Sequence, residues 1–230
     1  MLAHLLEVFD AEARQHGVYP LRDAGSPRNG EYSVPHPLGD LAAMTYTTAH
    51  VRMPESSVVN LKNCSWRITG EVVVPDAFVG AVEGVVGCQG GNMSGWSMWL
   101  RDAVPHFTYN CFGHDITTLV GSSLSVGRHR IETEFHYDGG FGKGGELVLL
   151  VDGDEVARQR IERTVPIVFS MSGETFDVGI DTGSAVGPYP HQFACTVPIV
   201  GVTLERLDEP GRGVRAAEAA GRFRAAMSTQ

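Results

Sequence analysis

Apolar and polar side chains alternate with a period of two along residues 64–74, and no other feature constrains the fold as strongly. Trp66 and Ile68 fall on one side of this run, whereas Arg67 and Thr69 fall on the other. Such alternation is typical of a β-strand with one buried face. Similar runs recur at residues 81–89, 95–101, 105–111, 128–137, 146–151, 155–161, 166–170 and 193–207. The pattern predicts an all-β fold, an antiparallel jelly-roll or concanavalin-like β-sandwich.

The same alternation predicts which side chains lie between the two sheets. Large apolar residues at every second position supply most of the hydrophobic stabilisation of such a fold. We expect a core that includes Trp66, Ile68, Val72, Phe135, Leu147, Leu149 and Phe169.

Four segments differ in composition and define the predicted domain boundaries. Residues 1–17 show apolar side chains at helical spacing and form a predicted N-terminal helix that ends at Gly17. Residues 18–43 are rich in Pro and Gly and form a predicted extended connector. Residues 44–209 form the β-sandwich domain, and residues 210–230 form a basic, Ala-rich helical tail. Its composition favours a solvated terminus, and the alternative is docking on the acidic body or on a partner.

Charge and composition exclude several classes of function. The net charge is −9 at pH 7 and no basic stripe precedes the tail, which argues against a nucleic-acid partner. The apolar runs are far shorter than the roughly 20 residues that cross a bilayer, so no membrane partner is expected. The first nine residues contain Glu7 but no Lys or Arg, unlike a secretory signal, which predicts a cytoplasmic protein. The four cysteines form no CxxC pair, so we expect reduced thiols, no metal and no cofactor.

Four titratable side chains on two predicted strands are candidates for acid–base chemistry. His106 lies on one strand, and Glu132, Glu134 and His136 share one face of another. If the two strands pair, their imidazole and carboxylate groups converge on one face of a sheet. The alternative, which such a pattern favours, is a solvated outer face.

Aromatic side chains concentrate in the predicted hairpin that ends near His114. Trp96, Trp99 and Tyr109 are candidates for stacking against a sugar or a phenyl group. Side chains of this kind more often fill the core, so that alternative stays open.

Asp177 and Asp181 lie four residues apart in a glycine-interrupted loop. Their carboxylates can hold a hard cation, or they can accept backbone N–H bonds and brace the loop. Two carboxylates are few for calcium, so bracing is favoured. Asp181 remains a candidate catalytic group.

Several short motifs follow one another in a characteristic order. They are Glu83-Gly-Val-Val-Gly-Cys-Gln-Gly-Gly91, Gly95-Trp-Ser97, Phe135-His-Tyr-Asp-Gly-Gly140, Arg163-Thr-Val-Pro166 and Glu174-Thr-Phe-Asp-Val-Gly-Ile-Asp-Thr-Gly183. In this order they resemble the C-terminal accessory region of bacterial arylsulfatases, which are formylglycine-dependent sulfatases. The resemblance covers residues 5–207, nearly the whole chain. It implies an accessory β-sandwich, with a sulfatase catalytic domain or subunit as a partner.

The catalytic apparatus of that family has no counterpart in this sequence. Its nucleophile derives from a Cys-x-Pro-Ser-Arg or Cys-x-Ala-x-Arg motif, whereas the nearest string here is Cys64-Ser-Trp-Arg67. No catalytic residue can be carried over, and the chain by itself is not expected to hydrolyse aryl sulfates. His106 and His114 stand where the resemblance leads us to expect apolar residues, which favours a pocket of the chain's own.

Two functions therefore compete. The first is a non-catalytic module that binds a partner or a small aromatic or sugar ligand through Trp96, Trp99, Tyr109 and His114. The second is a small enzyme that acts on a hydrophobic substrate by acid–base chemistry, with the candidate catalytic groups His106, His136, Glu132, Glu134 and Asp181. In either case we expect the site at the hairpin of residues 96–114, supplemented by the loop 174–181. The sequence leaves the oligomeric state open.

Overall fold

The structure, a computed structural model, describes residues 1–16, 41–77, 79–171 and 173–208. The helix α1 (Leu2–Gln15) belongs to a different compact unit from the strands. The strands in the described ranges are β1 (Ala43–Tyr46), β2 (Trp66–Val74), β3 (Gly84–Gly90), β4 (Gly95–Arg101), β5 (Val104–Cys111), β6 (Asp115–Val120), β7 (Gly127–Tyr137), β8 (Lys143–Val151), β9 (Asp154–Arg163), β10 (Phe176–Val178) and β11 (Ile199–Arg206).

The strands form two antiparallel sheets. Sheet A has six strands in the order β1-β11-β2-β7-β8-β9, and sheet B has five in the order β10-β3-β4-β5-β6. Hairpins join most neighbours, while β11, which follows β10 in the chain, lies beside β2 in the other sheet. This is an antiparallel β-sandwich of the jelly-roll or concanavalin-like class, so the predicted fold is confirmed.

The inner faces of the two sheets share one hydrophobic core. Trp66 on β2 stands opposite Phe135 on β7, and the centroids of their rings are 5.4 Å apart. From sheet B, Trp96 and Phe107 stack with ring centroids 6.2 Å apart. The predicted core is confirmed, because all seven of its members are buried: Trp66, Ile68, Val72, Phe135, Leu147, Leu149 and Phe169.

The predicted strand at residues 166–170 is wrong, because the segment is irregular. Pro166 has no N–H group to donate to a ladder. The N–H groups of Phe169 and Ser170 donate instead to Oε2 of Glu55, each at 2.9 Å. A carboxylate thus replaces the neighbouring strand. The short strands β1, β6 and β10 lie outside the predicted runs.

The remaining expectations concern the termini and the thiols. α1 ends at Gln15 with His16 as its C-cap, while Gly17, the connector up to residue 40 and the tail at 210–230 lie outside the described residues. All four cysteines are free thiols, and three of them are buried. Among the described helices, none has the length and apolar character needed to cross a bilayer.

Candidate functional site

A groove opens at the edge of the sandwich where β6 ends sheet B and β9 ends sheet A. Its cavity volume is about 580 Å³, which falls within the range of small-molecule sites. The groove is lined by Tyr109, His114, Asp115, Ile116, Thr117, Arg160, Ile161, Glu162 and Arg163. We call it the edge groove.

The turn between β5 and β6 places His114 at the groove. Both central residues of this turn have left-handed backbone, with φ of +58° at Phe112 and +69° at Gly113. Two consecutive positive φ values are typical of a type I′ turn, which matches the twist of a hairpin. The N–H of Gly113 donates to Oδ1 of Asn110 at 2.8 Å, and this hydrogen bond stabilises the turn. His114 and Asp115 follow at the rim.

One ion pair joins the two walls of the groove, and two others lie beside it on the sheet A side. The guanidinium of Arg163 on β9 donates to Asp115 on β6. This hydrogen bond lowers the pKa of the Asp115 carboxyl and raises that of the guanidinium. Nη2 of Arg160 lies 2.6 Å from Oδ2 of Asp138, and its Nε lies 3.2 Å from Oε1 of Glu162. Both cationic and anionic groups therefore line the groove.

Tyr109 forms part of the floor. Its side chain is buried, and its hydroxyl oxygen accepts a hydrogen bond from the N–H of Val165 at 3.0 Å. Burial raises the pKa of this phenol, so the hydroxyl stays protonated. Ile161 is buried beside it, whereas Ile116 is exposed at the rim. The floor is thus apolar but almost fully buried, and Ile116 supplies most of the exposed apolar surface beside the charged groups.

Trp96 and Trp99 do not reach the groove. Trp96 is fully buried in the core, where its Nε1 donates to Oε1 of Gln89 at 3.2 Å. Trp99 is buried on the outer face of sheet B, with its ring 5.4 Å from that of Tyr189. Of the four predicted ligand-binding residues, the structure brings only Tyr109 and His114 together.

His106 also lies on the outer face of sheet B. Its ring stacks on Trp99 with the centroids 4.0 Å apart, and its Nδ1 lies 2.9 Å from the carbonyl oxygen of Val104. Burial lowers the pKa of the imidazole, and the nearby Arg101 contributes in the same direction. These contacts hold a neutral ring in place.

The predicted convergence of His106 with the groups on β7 does not occur. β5 pairs with β4 and β6 in sheet B, whereas β7 pairs with β2 and β8 in sheet A. His136, Glu132 and Glu134 therefore lie on the outer face of the other sheet. There, Nε2 of His136 is 3.3 Å from Oε2 of Glu134, and Glu134 also accepts a hydrogen bond from Arg67 at 2.6 Å. The two sets of groups face opposite sides of the sandwich.

Asp177 and Asp181 are buried and brace the loop that follows β10. Oδ2 of Asp177 accepts hydrogen bonds from the N–H of Thr182 at 3.1 Å and from its hydroxyl at 2.7 Å. Oδ2 of Asp181 accepts the hydroxyl of Tyr189 at 2.8 Å, and burial raises the pKa of this carboxyl. The thiol of Cys88 lies with the two carboxylates, and their ligand atoms are within 4.8 Å of one another. Such a set can ligate a metal, but its oxygens already accept bonds from the loop.

The edge groove depends on residues that sequence analysis did not select. Asp115, Arg160 and Arg163 are charged side chains on edge strands, where charge normally serves only to protect an unpaired edge. The loop 174–181, expected to supplement the site, contributes no residue to the groove lining. The dense charge of residues 158–163 was the one available signal for a polar edge.

No family model matches the chain, and no curated protein matches it. Among solved structures, it is similar to a Ruminococcus gnavus IT-sialidase CBM40 bound to α2,3-sialyllactose, with 12% identity, a TM-score of 0.44, and coverage of 68% of this chain and 84% of that one. It is also similar to domains LG4-5 of the mouse laminin α1 chain, with 14% identity, a TM-score of 0.46, and coverage of 74% and 41% respectively. A leech intramolecular trans-sialidase shows 10% identity, a TM-score of 0.45, and coverage of 78% and 26%.

Proposed function

We propose that this chain is a non-catalytic carbohydrate-binding module and that the edge groove holds the sugar. One observation carries the proposal: charged hydrogen-bond donors and acceptors line a cavity of about 580 Å³, large enough for a sugar. Arg160 and Arg163 donate, while Asp115 and Glu162 accept. A sugar hydroxyl both donates and accepts, so a neutral polyhydroxylated ligand can hydrogen-bond to both members of each ion pair in the groove.

The floor of the groove supports the same ligand class. Tyr109 and Ile161 close the floor with little exposed area, and Ile116 adds an exposed apolar side chain, which suits the C–H face of a pyranose ring. Thr117 adds a hydroxyl that can donate to or accept from the ligand. A polar rim above an apolar floor is the usual form of a small-molecule site.

The carboxyl of Asp115 favours binding over catalysis. Hydrolysis of a glycosidic bond needs a carboxylic acid with a raised pKa to protonate the leaving group. The hydrogen bond from Arg163 lowers the pKa of Asp115, so at neutral pH this group accepts hydrogen bonds and carries no proton to give. The groups proposed for acid–base chemistry, His106 and His136, lie elsewhere on opposite faces.

We further propose that the module acts beside a sulfatase catalytic domain. The support for this partner is that the ordered motifs along residues 5–207 resemble those of the C-terminal regions of arylsulfatases. The chain itself is expected to show no turnover of a chromogenic aryl sulfate, and such turnover by rigorously purified protein would refute the module hypothesis. Co-purification of the chain with a sulfatase catalytic domain encoded nearby tests the partnership.

The binding experiment compares groove variants with a matched control. A panel of methyl glycosides is screened by thermal shift, and hits are measured by isothermal titration calorimetry. His114→Ala and Asp115→Asn each remove groups at the rim, and we expect each to weaken binding by about tenfold or more, with an unchanged melting temperature. His136→Ala removes an exposed imidazole from the outer face of sheet A and should bind like the parent. Equal affinity in all three variants would place the site elsewhere.

A further inference from the structure

We infer that the ligand carries an apolar group, an aryl ring or short alkyl chain attached to the sugar, and that a second cleft beside the edge groove binds this group. The inference rests on the proposed carbohydrate-binding function and names the subclass of ligand, a glycoside with an apolar aglycone.

The second cleft lies at the same turn between β5 and β6, where Phe112 lines it. Its cavity volume is about 140 Å³, and only apolar residues line it. They are Phe112, Val165, Pro166, Ile167, Val168 and Met171. An apolar cavity of about 150 Å³ accommodates one benzene ring, so the cleft has the size of a single aryl group.

Phe112 is held in a conformation that bulky residues rarely adopt. Its φ is +58°, in the left-handed region, and its side chain is 38% exposed. The first central position of a type I′ turn favours Asn, Asp or Gly, because these residues tolerate a positive φ. An exposed phenyl ring at this position adds strain without filling the core. Such strain persists mainly at functional sites, where the side chain has a task.

The edge groove and the second cleft are built from the same two segments. In the β5–β6 turn, Phe112 lines the cleft and His114 lines the groove. At the end of β9, Arg163 lines the groove, and two residues further along the chain Val165 lines the cleft. The N–H of Val165 donates to the hydroxyl of Tyr109 in the groove floor, which ties the two cavities together.

The spacing along the turn suits one ligand in both cavities. Two residues of extended chain span at most about 7 Å, so Phe112 and His114 lie no farther apart than that between their Cα atoms. A sugar ring and an aryl group on its anomeric oxygen bridge such a distance. One glycoside can therefore place its hydroxyls among the charged groups and its aglycone against Phe112.

The test compares methyl and phenyl glycosides of the same sugars by isothermal titration calorimetry. We expect the phenyl glycoside to bind about tenfold more tightly, since burial of an aromatic ring contributes at least that factor. Phe112→Asn removes the ring while keeping a residue that tolerates the left-handed backbone, so the variant should fold. In that variant the phenyl advantage should disappear, and the methyl glycoside should bind as to the parent. The matched control Val126→Asn removes another exposed apolar side chain, outside both cavities, and should keep the advantage.

The outcomes separate this inference from the proposed function. If methyl and phenyl glycosides bind equally, the second cleft does not hold the aglycone, and the edge groove stands. If benzyl alcohol or phenyl glycosides bind in a Phe112-dependent manner while no methyl glycoside binds, the apolar subsite stands and the sugar site fails. Binding of phenyl probes to the parent and to Phe112→Asn can be compared by ligand-observed NMR and by calorimetry. If Phe112→Asn removes no contact to any phenyl probe, the inference is overturned.

Discussion

The two outer faces of the sandwich differ in whether their polar groups are exposed to solvent or covered by protein. On sheet A the face is open, and Arg67 contacts Glu134 and Glu205 at 2.6 and 3.2 Å within reach of water. On sheet B the face is covered, because Val186 and Tyr189 from the loop after β10 pack on Trp99, Val85 and Cys88. The same β-sheet architecture thus carries solvated ion pairs on one side and a second small apolar cluster on the other.

The difference shows where a carboxylate matters for stability. Ion pairs in solvent gain little, because water competes and ordering the side chains costs entropy. The buried carboxylates of Asp177 and Asp181 instead satisfy backbone N–H groups that would otherwise lie unpaired. Leaving buried donors unpaired is expensive, so the covered face should be far more sensitive to the loss of a carboxylate.

A substitution in the core beneath both faces should cause the largest loss of stability. Phe135 is buried against Trp66 and Tyr137, with ring centroids 5.4 and 5.9 Å away. Phe135→Ala removes most of a large side chain and leaves a cavity, which should cost about 3–5 kcal/mol of unfolding free energy in chemical denaturation. Both outer faces should lose order together. A variant that melts within a couple of degrees of the parent would contradict the assignment of Phe135 to the core.

The second largest loss of stability is expected on the covered face of sheet B. Asp177→Ala deprives the N–H groups of Arg52 and Thr182 and the hydroxyl of Thr182 of their acceptor. We expect a loss of about 3 kcal/mol of unfolding free energy and faster amide exchange in the loop after β10.

The matched control for Asp177→Ala is Asp138→Ala. Asp138 pairs with Arg160 in solvent and braces no buried backbone. Its variant should keep the melting temperature of the parent. If the two variants are equally destabilised, burial of the carboxylate is not what distinguishes them.

The faces and the core were predictable because side-chain direction along a strand is a local property. Along β2 the alternation placed Trp66 and Ile68 inward, and Arg67 outward, without knowledge of any partner strand. The segment at 166–170 failed for an equally local reason that the apolar pattern hides. It contains Pro166, and its N–H groups find their acceptor in Glu55, far away in the chain.

The edge groove was not predictable in the same way, because it depends on which strands end up at an edge. Arg163 and Asp115 are 48 positions apart in the chain and meet only because β9 and β6 are the last strands of their sheets. Likewise, His106 and His136 both point outward, as alternation requires, but on different sheets. Period-two alternation predicts on which face of a strand a side chain lies, but it does not predict which of the two sheets the strand joins.

The open face should respond weakly and in a salt-dependent manner. Arg67→Met keeps much of the apolar stem and removes the guanidinium shared by Glu134 and Glu205. We expect a loss of about 1 kcal/mol or less at low salt, because the pair is partly exposed. The loss should shrink in 0.5 M NaCl, since exposed charges are screened over a few ångströms at that ionic strength. A large, salt-independent loss would mean that this face behaves like the covered one.

The smallest effect should come from pH, through His106 on the covered face. Burial lowers the pKa of this imidazole below its ordinary value of 6.5, so the folded state favours the neutral ring. Its contribution to stability is therefore fully present above pH 6.5 and is lost as the pH falls through the folded-state pKa. His106→Phe keeps a ring against Trp99, and His106→Gln keeps a neutral polar group. The new side chain takes up no proton in either variant. Melting temperatures measured between pH 5 and 8 should fall less steeply on the acid side for both variants than for the parent. Three parallel profiles would show that His106 is solvated, and that the face of sheet B is open at this position.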